Sequence, residues 1–332
     1  MSGSAPRGLP PLITVLGASG FVGAAVTAAL ARRPVRLRAV SRRPPDVAGA
    51  GAASFEVHPA DVTDRAALAH AVDGADVVVN LLLNSGGWRA AEEDPRSELV
   101  NVGVIRSTAD LLRRRRGTGR PPLVVYSGSA SQIGVPPDAP IDGGEPDRPE
   151  TAYDRQKLAA ERALKEATAE GVLRGVSLRL PTVYGEPTGS GNADRGVVST
   201  MIGRALAGEP LRMWHDGTVR RDLVHVTDVA RAVEAAIDHP DRLVGGHWLI
   251  GSGESPALGD AFRLIADSVA RHTGRPPVPV LSVPPPDHAP VTDFRSVLID
   301  PWRFRAVTGW KPELSLAEGV DRTVAALTAH AS

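Results

Sequence analysis

The 332-residue sequence predicts an α/β fold in which a doubly wound parallel sheet is joined to a smaller, interleaved α/β domain. Strand-like and helix-like segments alternate from residue 12 to residue 180, which is typical of a parallel sheet covered by helices. The run DVVVNLLL, starting at Asp76, is apolar on both faces, as a buried parallel strand requires. The alternation breaks after Pro181, where a Gly- and Pro-rich stretch predicts the second domain.

The elements follow in chain order, with β-branched runs predicting strands and Ala-rich or amphipathic stretches predicting helices. In the first domain we expect strands at 12–16, 35–40, 55–57, 76–83, 122–127 and 176–180, and helices at 19–32, 65–72, 95–116 and 151–169. Further on we expect a helix at 197–207, a strand feeding a helix at 222–238, a strand at 246–251, and helices at 257–271 and 314–327. The domains are expected to divide as 10–183 plus 223–251 for the first and 184–222 plus 252–330 for the second.

Composition excludes several classes of function. The chain has no cysteine, which excludes disulfides, thiolate metal sites and a cysteine nucleophile. Its 38 basic and 38 acidic residues balance, so no global field points to nucleic acid or an anionic membrane. No window approaches about 18 uninterrupted apolar residues, and MSGSAPRGLPP lacks the apolar run of a signal peptide. We therefore expect a cytoplasmic protein with no metal, no nucleic-acid partner and no membrane association.

The first strand ends in LGASGFVG, where Gly17, Gly20 and Gly23 are spaced G-x-x-G-x-x-G between a strand and a helix. One glycine makes the tight turn, one lets the backbone approach a pyrophosphate, and one lets helix and strand pack closely. The helix N-terminus then offers free N–H groups and a positive dipole end to phosphates. The motif predicts a Rossmann dinucleotide site, with a tight turn that binds no ligand as the alternative.

The end of the second strand indicates which dinucleotide binds. An acidic residue there would accept a hydrogen bond from a ribose 2′-OH, but this strand ends in Ser41-Arg42-Arg43. A hydroxyl and two guanidiniums suit a 2′-phosphate, so the sequence favours NADP over NAD, with a solvated arginine pair as the alternative. Asp61, at the end of the third strand, is expected to accept from an adenine amine or to cap the helix that begins near Arg65.

Tyr153 and Lys157 lie four residues apart in TAYDRQKLAAERAL, in a chain with only three tyrosines. Thr151 and Asp154 fit a helix capping box, so the tyrosine and the lysine share one face of a helix. An ammonium beside a phenol favours the phenolate, so we expect the tyrosine pKa to fall from about 10 toward neutral pH. The preceding strand ends in YSGS at 126–129, and a serine hydroxyl there can hold a substrate oxygen near the tyrosine.

These motifs identify a resemblance to the extended short-chain dehydrogenase/reductases, the group that includes nucleotide-sugar epimerases, dehydratases and ketoreductases. The resemblance covers nearly the whole chain and rests on GASGFVG, ADVTD, SGSASQIG, YDRQK, LRLPTVYG, RRDLVHVTDVA and TGWKP, in the family's order. It implies that Tyr153 is the catalytic acid/base, Lys157 its partner and Ser129 the hydroxyl of the triad, with Ser127 as the runner-up. It also implies a homodimer formed by the helices at 95–116 and 151–169.

Within the family, the sequence is most similar to the 4-ketoreductases that act on dTDP-4-keto-6-deoxyhexoses in antibiotic deoxysugar pathways. LRLPTVYG, RALAGEPLRMWHDGTVRRDLVHVTDVARAV and VTDFRSVLID carry this resemblance. The Asp-Glu pair of the dehydratases is replaced by Ala130-Ser131, which disfavours 4,6-dehydration. The resemblance implies NADPH-dependent reduction of a C4 ketone. The alternatives are an NAD-dependent nucleotide-sugar 4-epimerase and a non-catalytic NADP-binding protein of the same fold.

The resemblance also implies the residues that bind each ligand. Those expected at the cofactor are Gly17, Ser19, Gly20, Phe21, Val22, Gly23, Ser41, Arg42, Arg43, Asp61, Val62, Leu82, Leu83, Asn101, Tyr153, Lys157, Pro181 and Val183. Those expected at a dTDP-linked sugar are Trp88, Ser127, Arg195, Val197, Trp214 and Arg221. Arg221 is assigned to the pyrophosphate, with an ion pair to Asp222 or Asp228 as the alternative. Trp214 is expected to stack on the base or to lie in the core, and Trp88 to cover the sugar or to pack.

Overall fold

The computed structural model describes residues 9–45, 51–84, 91–114, 119–188, 194, 196–214, 216–285 and 294–331, without the side chains of 330 and 331. Within these ranges, seven strands form one parallel sheet in the order β10-β6-β5-β4-β1-β2-β3. They are β1 (Leu12–Leu16), β2 (Arg36–Ser41), β3 (Ser54–Pro59), β4 (Val77–Asn80), β5 (Leu123–Ser129), β6 (Arg174–Leu180) and β10 (His247–Leu249). This is the doubly wound order of dinucleotide-binding sheets, so the predicted fold class is confirmed.

Helices cover both faces of this sheet. Those of the first lobe are α1 (Phe21–Leu30), α2 (Arg65–Ala71), α3 (Arg96–Glu98), α4 (Val104–Arg114), α5 (Ala152–Ala169), α7 (Val226–Asp238) and α8 (Pro240–Leu243). On one face, Val26 of α1 and Val233 of α7 pack into the same buried cluster as Val15. On the other face, Ile105 of α4 and Leu164 of α5 pack into a second buried cluster together with apolar residues of the sheet. The apolar runs of the central strands β1 and β4 are thus buried on both sides.

The register brings the ends of the central strands to one edge. Leu16 is paired with both Val40 and Asn80, and Asn80 with Tyr126. The strand order reverses between β1 and β4, and in such sheets the crevice beyond the strand ends at the reversal is where ligands bind. The loop after Leu16 and the segment after Asn80 both lie at this crevice.

The second lobe is formed by α6 (Val197–Leu206), α9 (Leu258–Thr273) and α11 (Leu316–Ala331), packed around a separate apolar cluster. A short parallel pair, β8 (Leu211–Met213) with β11 (Val280–Ser282), covers part of it. Another pair, β7 (Thr182–Tyr184) with β9 (Leu223–His225), stands between the lobes. The sequence did not predict β7, β8, β11, α8 or α10 (Trp302–Thr308). The domain boundaries stay a prediction.

The helix expected at 95–116 runs without a break from 96 to 114 in the described residues, but its hydrogen-bonding pattern changes along the way. A π-helical turn, Leu99–Gly103, separates α3 from α4. Such turns insert one extra residue per turn and often occur at functional sites. The strand expected at 76–83 ends at Asn80, because Leu81, Leu82 and Leu83 leave the sheet to line a cavity. Among the described residues, no helix has the length and apolar character needed to span a membrane.

Candidate active site

A cavity of about 1470 Å³ opens at the edge where β1, β4, β5 and β6 end. Its wall includes Gly20 and Ser129 from the sheet lobe and Arg212 and Phe262 from the second lobe. Sites for one drug-sized ligand usually occupy about 300–1,000 Å³, so this cavity has room for two ligands side by side. The site therefore lies between the two lobes.

The glycine turn after β1 forms one end of the cavity. Gly17 has φ 89°, a conformation that favours glycine, and a Cβ added to Gly23 would lie 1.9 Å from the Gly17 carbonyl oxygen. Gly20 begins α1 with no side-chain cap, and Ser19, Phe21 and the first turn of α1 line the cavity. These residues fit a dinucleotide, because a bare helix N-terminus presents N–H groups to a pyrophosphate.

The end of β2 forms the next part of the wall. Arg42 and Arg43 are exposed and line the cavity, whereas Ser41 is buried and its hydroxyl donates to the Arg43 carbonyl at 2.6 Å. Asp61 also lines the cavity. Hydrogen bonds from Thr63 lower the Asp61 pKa, and Arg42 lowers it further.

Asp61 does not cap the following helix. Asp64 does so instead, accepting from the backbone N–H of Ala67 at 2.8 Å. The helix-cap alternative for Asp61 was therefore wrong. Val62, beside it, is buried and faces the cavity.

Tyr153, Lys157 and Ser129 come together at the centre of the cavity wall. Thr151 caps α5 by accepting from the Asp154 N–H at 3.1 Å, and the tyrosine and lysine occupy the first turns that follow. Ser129, at the end of β5, is near enough to Tyr153 for its hydroxyl to lower the tyrosine pKa. The Lys157 ammonium lies 5.8 Å from the centre of the Tyr153 ring. The arrangement expected from sequence is present.

Ser127 has a different role from Ser129. Its hydroxyl donates to the Asn80 carbonyl at 3.3 Å, and its own carbonyl accepts from the Lys157 ammonium at 2.8 Å. Ser127 therefore holds the lysine, although it also lines the cavity. This geometry favours Ser129 as the hydroxyl beside the tyrosine.

The expected fall in the Tyr153 pKa was wrong for the protein without ligands. Burial raises the Tyr153 pKa above its ordinary value near 10, and Asp154 adds to the rise, while the Ser129 hydrogen bond opposes it. Burial also lowers the Lys157 pKa to about 7. The lysine donates to a backbone carbonyl rather than to the phenol, so the desolvation of both groups dominates. The chain therefore holds Tyr153 as a phenol, the form that donates a proton.

The substrate residues expected from sequence divide into three groups. Val197, at the start of α6, and Trp214 line the cavity; Trp214 is half-buried rather than a core residue. Trp88 and Arg195 lie outside the described residues. Arg221 lines the cavity and donates to the carbonyls of Arg220, at 3.1 Å, and Arg295.

The two carboxylates considered as partners of Arg221 have other partners. Asp222 accepts from the backbone N–H groups of Ser252 and Gly253, and Asp228 forms an ion pair with Arg231. The guanidinium of Arg221 is therefore held at the cavity wall by main-chain oxygens, a position suited to an anionic ligand.

Most of the remaining cofactor residues line the cavity, but Asn101 does not. The lining includes Leu82, Leu83, Pro181 and Val183. Asn101 is buried in the π-helical turn, where its oxygen accepts from Asn84 N–H at 3.3 Å and its amide donates to Gln156 at 2.7 Å. Asn101 thus ties the segment after β4 to α5, and its place at the cofactor stays a prediction.

A model of the NAD dependent epimerase/dehydratase family matches residues 13–251. The chain belongs to this family. A dTDP-L-rhamnose 4-epimerase of Burkholderia thailandensis is 28% identical over 350 residues, covering 93% of this chain and 92% of the relative. A dTDP-6-deoxy-L-talose 4-dehydrogenase (NAD(P)(+)) of Kitasatospora kifunensis is 27% identical over 322 residues, covering 96% of each.

A solved structure, MoeE5 in complex with UDP-glucose and NAD, is similar along its whole length. It has a TM-score of 0.80 and 25% identity, and the match covers 97% of this chain and 100% of that chain. The overall fold of this chain therefore agrees with that of this solved structure. Among the residues that the structure describes, no group of three His, Asp or Glu side chains could hold a metal ion.

Two residues at the site were missed in the sequence. Asp154 was considered only as the capping partner of Thr151, and Ser131 only as the replacement for a dehydratase carboxylate. In the structure Ser131 donates to the Asp154 carboxylate, and both line the cavity. The carboxylate of Asp154, from α5, thus lies beside Ser131, the residue that replaces a carboxylate of the dehydratases. No local pattern signals it, because the two residues are 23 positions apart.

Proposed function

We propose that the protein reduces the C4 ketone of a dTDP-4-keto-6-deoxyhexose with NADPH. The observation that carries the proposal is that the glycine turn at 17–23, the phenol of Tyr153 and the basic end of β2 line the same cavity. The two relatives above support the position of the reaction, since both are named for chemistry at C4 of a dTDP-linked 6-deoxyhexose. The similar solved structure, which binds NAD and a nucleotide sugar, supports the ligand classes.

The chain's own residues would bind the ketone and supply its proton. When bound, the reduced nicotinamide supplies a hydride to the carbonyl carbon. Tyr153 donates its phenolic proton to the carbonyl oxygen, for which its raised pKa is suited because the phenol stays protonated at neutral pH. Ser129, beside the tyrosine, would share the developing negative charge. Lys157, anchored on the Ser127 carbonyl, would stand beside the cofactor ribose.

The choice of NADPH rests on the end of β2. Arg42 and Arg43 are exposed at the cavity, and no carboxylate occupies the position of Ser41. Guanidinium groups bind phosphate through paired charge-assisted hydrogen bonds, which a 2′-phosphate would accept. NADPH is also the dinucleotide that cells keep reduced for net reductions, which is the direction proposed here.

The nucleotide of the substrate would lie in the second lobe. Trp214 offers a face for stacking on the base, and Arg221 a guanidinium for the diphosphate. Val197 would contact the same nucleotide from the start of α6.

We further propose that two copies of the chain associate through α4 and α5. Light scattering, which measures the mass of the particle in solution, would test this.

A second candidate is an NAD-dependent 4-epimerase. It is favoured by the epimerase of Burkholderia thailandensis, which matches nearly the whole chain. An epimerase oxidises C4 and then reduces it again from the other face, so it needs a cofactor that stays bound. It predicts NAD that copurifies with the protein and no net consumption of reduced cofactor.

The experiment supplies dTDP-4-keto-6-deoxyglucose with NADPH or with NADH and follows the loss of nicotinamide absorbance. We expect NADPH to be consumed, with formation of a dTDP-6-deoxyhexose detected by mass spectrometry. In parallel, dTDP-L-rhamnose is incubated without added cofactor. A C4 epimer from the second reaction, with no NADPH consumed in the first, would reject the reductase in favour of the epimerase.

A further inference from the structure

Four side chains lie in series at the cavity wall, and we call them the hydroxyl chain: Tyr153, Ser129, Ser131 and Asp154. The Ser129 hydroxyl is near enough to Tyr153 to lower the tyrosine pKa, and the Ser129 and Ser131 oxygens are 2.7 Å apart. Ser131 in turn donates to Oδ1 of Asp154. All four side chains line the cavity. The path therefore connects the proposed proton donor with a carboxyl group.

Asp154 is fixed in place at the start of α5. It is 4% exposed, and its second oxygen, Oδ2, accepts from the Thr151 hydroxyl at 2.7 Å. Its charged neighbour on the helix is Arg155, which is exposed, lies 3.9 Å from Glu92 on the preceding segment and lowers the Asp154 pKa. Burial has the larger effect and raises that pKa above its ordinary value, against the hydrogen bonds from Ser131 and Thr151. The carboxyl thus accepts a proton more readily than an exposed aspartate.

The protonation state of Asp154 decides which way the hydroxyls point. An ionised carboxylate has no proton to give, so Ser131 donates to it, Ser129 donates to Ser131, and the Tyr153 hydroxyl is drawn toward Ser129. A protonated carboxyl can donate to Ser131, and Ser131 can then donate to Ser129. The Ser129 hydrogen is then directed at Tyr153, and the tyrosine hydroxyl is free to donate into the cavity.

We propose that Asp154 is a positioning residue that acts through Ser131 and Ser129 to direct the Tyr153 hydroxyl at the substrate and to return a proton to it after each turnover. The proposal rests on the proposed function, in which Tyr153 is the proton donor. The family resemblance assigns no role to either Asp154 or Ser131.

The proton transfers balance along the path. After Tyr153 has given its proton to the carbonyl oxygen, the phenolate takes the proton of Ser129, Ser129 takes that of Ser131, and Ser131 takes that of Asp154. Only O–H bonds break and form, no group is oxidised or reduced, and Asp154 is left as a carboxylate. Water in the cavity then restores its proton.

The test compares Asp154→Asn and Ser131→Ala with the wild-type protein and with Glu166→Gln as a control. Glu166 is an exposed carboxylate of the same helix that does not line the cavity. With dTDP-4-keto-6-deoxyglucose and NADPH, we expect kcat to fall about tenfold or more in both variants. We expect KM to change less than about twofold, because the substrate contacts remain.

The pH profile separates this role from a structural one. Wild-type kcat should decline as pH rises through the raised pKa of Asp154, and Asp154→Asn should lack that decline. The double variant should be no slower than the slower single variant, because both remove the same path. Unchanged kcat and an unchanged pH profile in Asp154→Asn and Ser131→Ala would overturn the proposal.

A second measurement keeps the inference separate from the proposed function. If the wild-type protein consumes no NADPH, the proposed function has failed, but the hydroxyl chain can still be tested by NMR of protein labelled with ¹³C at aspartate carboxyls. The Asp154 signal is identified by its loss in Asp154→Asn. Ser131→Ala should raise its pKa further, since the variant removes a hydrogen bond to the carboxylate. An identical Asp154 titration in the wild-type protein and in Ser131→Ala would show that Asp154 is not coupled to the hydroxyl chain.

Discussion

Arg179 of β6 forms a paired hydrogen bond with Glu161 of α5, with Nε–Oε2 3.0 Å and Nη2–Oε1 2.8 Å, and neither side chain is exposed. Glu161 also accepts from the Gln132 amide at 3.2 Å, and the Gln132 oxygen accepts from the Ser129 N–H at 2.8 Å. The buried ion pair thus supports the end of β5, which carries Ser129 of the proposed active site. Burial alone would raise the Glu161 pKa, but hydrogen bonds from His247, Arg179 and Lys165 outweigh burial and hold that pKa well below its ordinary value.

Removing the charge of Glu161 should lower the stability of the folded protein. We expect Glu161→Gln to lower the free energy of unfolding by about 1.5–3 kcal/mol, because the buried Arg179 would lose its charge-assisted hydrogen bonds to Glu161 and keep those to Asp147. Urea unfolding followed by circular dichroism measures this. The exposed Glu166→Gln, on the same helix, should change stability by less than about 0.5 kcal/mol. Equal stabilities for the two variants would contradict the prediction.

Lys157 should make the stability of the ligand-free protein depend on pH. Its pKa is about 7 in the folded chain against an ordinary value of 10.5, so the unfolded chain binds more protons between these values. The free energy of unfolding should therefore gain about 1.4 kcal/mol per pH unit from this group as pH rises through that range. Lys157→Met removes this contribution. Urea unfolding of both proteins at several pH values tests it, and parallel pH dependences would refute it.

The glycine turn should tolerate no added side chain at Gly23. A Cβ there would lie 1.9 Å from the Gly17 carbonyl oxygen, so Gly23→Ala should push α1 away from β1. We expect a loss of about 1–3 kcal/mol in stability and weaker NADP binding by calorimetry. Gly203→Ala, in α6, is the control. No atom lies within 4 Å of its new Cβ, so it should stabilise the helix by about 0.5–1 kcal/mol.

The basic end of β2 should select between the two dinucleotides. In Arg42→Ala/Arg43→Ala we expect the Kd for NADPH to rise about 10- to 100-fold, because charge-assisted hydrogen bonds contribute about 1.5–3 kcal/mol. The Kd for NADH should change little. Fluorescence titration with each dinucleotide measures both constants, with Arg263→Ala, on the exposed face of α9, as the control. An equal loss of affinity for NADPH and NADH would rule out recognition of the 2′-phosphate.

Turnover should depend on the phenol of Tyr153. Tyr153→Phe keeps the ring but removes the donated proton, so kcat should fall about 10²- to 10⁴-fold while NADP affinity remains. Tyr184→Phe makes the same chemical change in the buried core outside the cavity and should keep turnover near the wild-type level. Wild-type turnover in Tyr153→Phe would exclude this tyrosine as the acid.

Much of the fold and part of the site could be predicted because the signals are local. The glycine spacing at 17–23, the buried run after Asp76 and the Tyr153–Lys157 pair each lie within one turn or one element. Within each of these motifs, residues that are close in sequence are also close in space. The resemblance over the whole chain then assigned the roles that spacing alone does not give.

The rest could not be predicted because it depends on distant contacts. The β7–β9 pair joins residues about 40 positions apart, and its three-residue strands carry no period of their own. The expected fall in the Tyr153 pKa failed because burial, which sequence does not measure, raises that pKa, and because Lys157 donates to a backbone carbonyl instead of the phenol. Asp154 was missed for a similar reason, since its partner Ser131 comes from another element.

The parallel sheet is completed late in synthesis. β10 and α7 follow the residues of β8 in the chain, yet they pack on β6 and α1. A nascent chain that has emerged only as far as residue 220 therefore leaves the apolar side of α1 and the edge of β6 uncovered. Ribosome stalling or truncation before residue 250 should consequently yield an aggregation-prone intermediate that binds chaperones, and not a stable N-terminal fragment.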